Sequence, residues 1–79
     1  MSVEKVRAKF YCSHNAPDDY REHAKRLIFF AVADDGSPEN RVFATATPIG
    51  TIEMVVTTEV GQRFTVGEEY YLDFTPAES

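Results

Sequence analysis

Seventy-nine residues and 8.9 kDa leave room for one domain, spanning 1–79, and a chain of this size buries only about 60–65% of its unfolded surface. A hydrophobic content of 43% and an aromatic content of 13%, carried by six Phe and four Tyr without Trp, are enough for a compact core and exclude intrinsic disorder. The formal net charge of −5 repels a phosphate backbone and disfavours nucleic acid as a partner. The single cysteine, Cys12, excludes an intramolecular disulfide. With no charged-then-apolar leader and no apolar run of about 18 residues, the expectation is a soluble protein of a reducing cytoplasm that does not engage a membrane.

In chain order, Val6, Ala8, Phe10 and Cys12 alternate with Lys5, Arg7, Lys9 and Tyr11, which predicts a first strand over roughly residues 3–12. Residues 13–23 are polar, carry a Pro-Asp-Asp turn signal, and read as a long loop. A second strand follows over 24–33, with Leu27, Phe29 and Ala31 on one face and Ile28, Phe30 and Val32 on the other, so that both faces call for burial. The cluster Asp34–Asn40 reads as a short turn, with a helical turn capped by Ser37 and running to about Phe43 as the alternative. Residues 41–47 are a candidate fifth strand. Ile52, Met54 and Val56 alternate with Thr51, Glu53, Val55 and Thr57 in another amphipathic strand. Thr58 to Phe64 reads as one helical turn with Thr58 as its cap, although Gly61 weakens it. After the Val66-Gly67 turn, Tyr70, Leu72 and Phe74 face one side of a last strand and Glu69, Tyr71 and Asp73 the other, before a short tail.

These elements predict a mainly β fold: a small open or closed antiparallel barrel of OB or SH3-like size with one or two short helical turns, or a two-layer sandwich formed with a second copy. The row Lys5, Arg7, Lys9 and Tyr11 resembles a single-strand nucleic-acid platform, or a partner-facing surface. Pairing of the first and last strands would instead set it against Glu69, Tyr71 and Asp73 as cross-strand ion pairs, and this reading is favoured. Cys12 and His14, two apart, would share a face if the strand continued, with His23 and Asp18 or Asp19 near, but the spacing fits no zinc motif and no metal or other cofactor is expected. The isolated glycines form no phosphate loop, and no nucleophile–base pair is evident, so no catalytic residue is assigned and a non-enzyme is expected. The apolar row Ile28, Phe30 and Val32 is the expected interface with another chain, because so small a domain cannot cover both sides of its second strand.

Three stretches, Lys-Val-Arg-Ala-Lys-Phe-Tyr-Cys (5–12), Ser-Pro-Glu-Asn (37–40) with Ala-Thr-Pro and Gly-Thr-Ile-Glu-Met downstream, and the closing Phe-Thr-Val-Gly-Glu-Glu-Tyr-Tyr-Leu-Asp-Phe-Thr-Pro-Ala-Glu, resemble a family of small acidic proteins encoded by tailed bacteriophages and prophages. The resemblance covers nearly the whole chain except the region around 13–24. It carries over no functional residues. It implies a phage product made in the host bacterial cytoplasm and acting through protein partners. Such a product would be a virion-associated assembly or capsid decoration protein, or an accessory protein binding a host defence factor. An oligomer of identical chains fits either role.

Overall fold

A computed structural model describes residues 6–78. The chain forms β1 (Val6–Pro17), β2 (Ala24–Ala31), α1 (Pro38–Ala46), β3 (Thr51–Thr57), α2 (Thr58–Gly61) and β4 (Glu69–Phe74). The strands make one antiparallel sheet in the order β3-β2-β1-β4, with β1 pairing β4 as the alternating charges predict. The sheet is open. The expected barrel is not formed, because β3 and β4 lie on opposite edges and residues 41–47, the candidate fifth strand that closure would draw on, belong largely to α1.

Local chemistry explains the elements read differently from sequence. Ser37 caps α1, its hydroxyl accepting from Asn40 N–H at 3.2 Å, and Pro38 starts the helix, so capping prevails over the short-turn reading of Asp34–Asn40. Residues 13–17 extend β1 rather than opening a long loop, because the ladder is irregular between Cys12 and His14 and then continues to Pro17 opposite Lys25. That bulge reverses the alternation, which sets polar Asn15 beside Leu27 on the same side as Cys12. The remaining hairpin turn is tight: Asp18 N–H donates to Ala24 C=O at 3.0 Å, the Asp18 carboxylate accepts from Tyr20 N–H, and His23 adopts a φ of 57°. Thr57, not Thr58, caps α2.

Ala8, Phe10, Cys12, Leu27 and Phe29 form the buried core on one side of β1 and β2. The connection from β3 to β4 must travel from one sheet edge to the other, and it crosses this side. Phe64 anchors the crossing, its ring packed edge-on to Phe29 at 5.3 Å and to Tyr70 at 5.2 Å. Asn15 ties the same segment down by donating its amide to Gly61 C=O at 2.9 Å and Phe64 C=O at 2.8 Å. α1 lies on the opposite side, over β1 and β4, where Phe43 meets Tyr71.

Candidate functional site

The registers sort the side chains onto two sides of different chemistry. Ala8, Phe10 and Cys12 of β1 stand with Leu27, Phe29 and Ala31 of β2, Ile52, Met54 and Val56 of β3, and Tyr70, Leu72 and Phe74 of β4. Among the described residues the only charge that a paired strand places on this apolar face is Lys25, whose stem packs under Gly61 at the α2 end. Arg7, Lys9, Arg26, Glu53, Glu69 and Asp73 all stand on the other, charged face.

The charged face is held by a network around α1. Arg7 grips Asp73 through two hydrogen bonds of 2.7 and 3.0 Å and lies 4.6 Å over the Tyr71 ring. The Lys9 ammonium meets Glu39 and Glu69, each at 3.2 Å, and donates to Asn40 Oδ1 at 2.7 Å. Asn40, 3% exposed, returns its amide to Asp35 at 3.1 Å and Glu69 at 2.9 Å. The Tyr71 hydroxyl donates to Glu39. These contacts hold the Glu39 carboxyl below its ordinary range, the Tyr71 hydrogen bond first and Lys9 second, and the same bond raises the Tyr71 hydroxyl. Burial pulls the Lys9 pKa down, and its hydrogen bonds to Glu69 and Glu39 more than reverse that, so Lys9 ends raised. Arg7 and Lys9 are thus engaged by carboxylates, and Tyr11 packs at 6.0 Å against Phe30. Lys5 lies outside the described residues.

The predicted interface residues separate. Ile28 and Phe30 lie half-buried on the charged side, away from α1, whereas Val32 is 4% exposed and its N–H donates to Lys9 C=O at 3.0 Å. Val32 is therefore covered within the chain itself. Cys12 and His14 do not share a face, because the bulge places Cys12 opposite Phe29 and His14 opposite Ile28. The Cys12 thiol is fully buried, and burial pushes it up, away from the reactive thiolate. Among the described residues no group of three or more His, Cys, Asp or Glu side chains is placed to hold a metal ion. No helix among them is long and apolar enough to cross a membrane.

The feature that sequence reasoning missed is on the apolar face. There the crossing segment stops short, leaving a cleft of about 190 Å³ lined by Phe10, Phe29, Ile52, Met54, Phe64, Tyr70, Tyr71 and Leu72. Phe74 and Val6, paired neighbours on β4 and β1 beyond Leu72 and Ala8, are 56% and 61% exposed. Alternation identifies Phe10, Phe29, Ile52, Met54, Tyr70 and Leu72 as sharing one face, but nothing in the pattern tells how far a later segment will reach across them. The cleft is small beside the roughly 300–1,000 Å³ of sites for small-molecule ligands. Comparison with protein-family models, with curated proteins and with solved structures found no match.

Proposed function

We propose that this chain is a non-enzymatic assembly protein of a tailed-phage particle, a decoration or cement component that works by packing against other protein. One observation carries the reading: an open sheet whose apolar face is only partly covered by its own chain. An apolar sheet face is stable when it is packed against a second layer, and the crossing segment with Phe64 supplies only part of that layer. The resemblance of residues 5–12, 37–54 and 64–78 to small phage proteins supplies the context, with synthesis in the host cytoplasm and the virion as the destination.

The acidic balance of the chain favours a second reading, an accessory protein that presents its charge to a host defence factor. A single-strand nucleic-acid platform has less support, since the sheet is open and Arg7 and Lys9 are held by Asp73, Glu39 and Glu69. Quantitative mass spectrometry of extensively purified virions tests the proposal. The expected result is a fixed stoichiometry relative to the major capsid protein. Abundant protein in infected cells with none in particles would overturn it in favour of the accessory reading.

A further inference from the structure

The apolar face points to its own occupant. From its mass the chain should expose about 4,800 Å² as a compact monomer, yet it exposes 6133 Å². Its radius of gyration is 14.4 Å, against about 11.6 Å for a compact domain of this length. It is also thin, only 18 Å along its shortest axis against 42 and 38 Å along the others. The exposed tail at 75–78 carries part of the surplus, and Val6, Met54 and Phe74 of the sheet carry another part. The part of this surplus that lies on the apolar face, at Val6, Met54 and Phe74, is surface that a second layer would cover.

We infer that the apolar face packs on the same face of a second copy, giving a two-layer sandwich with two-fold symmetry. This deepens the reading of the chain as an assembly protein and rests on it. Charge confines contact with a second copy to this face. Two chains of net charge −5 repel, and burying the side of the sheet that carries Arg7, Lys9, Arg26, Glu53, Glu69 and Asp73 would desolvate six charged side chains. The face with Phe10, Phe29, Ile52, Leu72 and Phe74 carries only Lys25 among the charged side chains of the described strands, at its α2 end. Shape argues the same way. A cavity of about 150 Å³ takes a benzene ring, so a cleft of about 190 Å³ accepts one phenyl group. Phe74, 56% exposed and next after the cleft-lining Leu72 on the same side of β4, supplies such a group from the partner. In an isologous pair each Phe74 fills the other chain's cleft, and the two sheets sit about 10 Å apart as in other sandwiches.

Sedimentation and light scattering of the full chain from about 1 to 100 μM, the range that separates weak from standard interfaces, test this. The expected species has the mass of two chains. Phe74→Glu and Met54→Glu, both at part-exposed positions, should keep the far-UV circular dichroism of the parent and raise the dissociation constant at least about thirtyfold, as for an interface hot spot. Tyr11→Lys, on the charged face opposite Glu69, should leave the dimer intact. In a sample mixing labelled and unlabelled chains, intermolecular NOEs should join the Phe74 ring to the Met54 methyl, a readout that needs no variant. A monomer throughout the range, a dimer broken by Tyr11→Lys but not by Phe74→Glu, or a dimer without those NOEs would overturn the inference. The virion measurement stays separate: a monomer found in particles at fixed stoichiometry sinks the dimer and keeps the assembly function, and a dimer absent from particles does the reverse.

Discussion

Gly61→Ala sets two effects of opposite sign against each other. Gly61 is the last residue of α2, and alanine is better than glycine in a helix by about 0.8–1 kcal/mol. A Cβ at position 61, however, would stand 2.8 Å from Lys25 Cδ, 2.9 Å from Lys25 Cβ and 3.2 Å from Lys25 Cγ. Carbon atoms pack best at about 3.5–4.0 Å. The end of the lysine stem can swing away, but Lys25 Cβ is fixed to the β2 backbone, so the crossing segment must lift. Lifting it stretches the hydrogen bonds from Asn15 to Gly61 C=O and Phe64 C=O. Overpacking of this kind costs about 1–3 kcal/mol, and a weakened hydrogen bond adds about 0.5–1.5 kcal/mol. The clash wins, with a net loss of about 1–3 kcal/mol measured by urea unfolding at unchanged m-value. Adding Lys25→Ala removes Cγ and Cδ but leaves Cβ, so it should recover only part of the loss. A Gly61→Ala protein as stable as the parent, or more so, would refute the placement of α2 against β2.

Three further outcomes follow from the same packing. Phe29→Ala deletes a ring that is buried against Phe64 and Tyr70 and that lines the cleft, and should cost about 3–5 kcal/mol in chemical denaturation; tolerance within 1 kcal/mol would show that the crossing segment does not depend on it. Asn40→Asp replaces an amide that donates to Asp35 and Glu69 with a carboxylate that repels both, and should cost about 2–4 kcal/mol at neutral pH, more than Asn40→Ala; equal losses for the two variants would argue against the network. Glu39 and Asp35 are both held below the ordinary carboxylate range, Asp35 mainly by the Ser37 N–H, so their contribution to stability is present above about pH 4 and disappears as pH falls through their lowered values. The melting temperature should drop with acidification there, and Glu39→Gln should blunt the drop; a variant with the parent's acid profile would remove Glu39 from the account.

Strict alternation made β3, β4 and the first half of β1 legible, since Ile52, Met54 and Val56, or Tyr70, Leu72 and Phe74, admit one assignment of faces. The pairing of β1 with β4 was legible for the same reason, from Arg7 and Lys9 against Asp73 and Glu69. Alternation fails at a bulge, and the extra residue at Ser13 turned a continuing strand into an apparent loop. α1 carries its signal in Ser37-Pro38, but Val42 and Phe43 read as well in a strand, and only docking against Lys9 and Tyr71 decides for the helix. For β2 the pattern shows two apolar sides without ranking them. The register ranks them, putting Leu27 and Phe29 in the core and leaving Ile28 and Phe30 beside the charged residues, while Val32 is buried within the chain. Openness of the sheet is a property of the whole chain, set by where α1 and the crossing segment lie, and no local pattern records it.

The two sides of the sheet therefore divide specificity from stability. Ion pairs such as Arg7–Asp73 are solvent-exposed, and exposed pairs add little net energy while penalising a shifted register, because a slip of one residue would take the charges to the apolar side. The favourable free energy comes from the other side, where the buried cluster is small and its border is wet at Val6, Met54 and Phe74. A domain with so little core is marginal alone, and any partner that binds only the folded chain raises its stability by mass action. In the proposed dimer, covering the apolar face would link assembly to folding: the same contact that joins two chains would finish the second layer of each. The link is observable as a melting temperature that rises with protein concentration in the parent and is flat in Phe74→Glu. A parent melting temperature independent of concentration would mean that the partial layer under Phe64 is sufficient by itself.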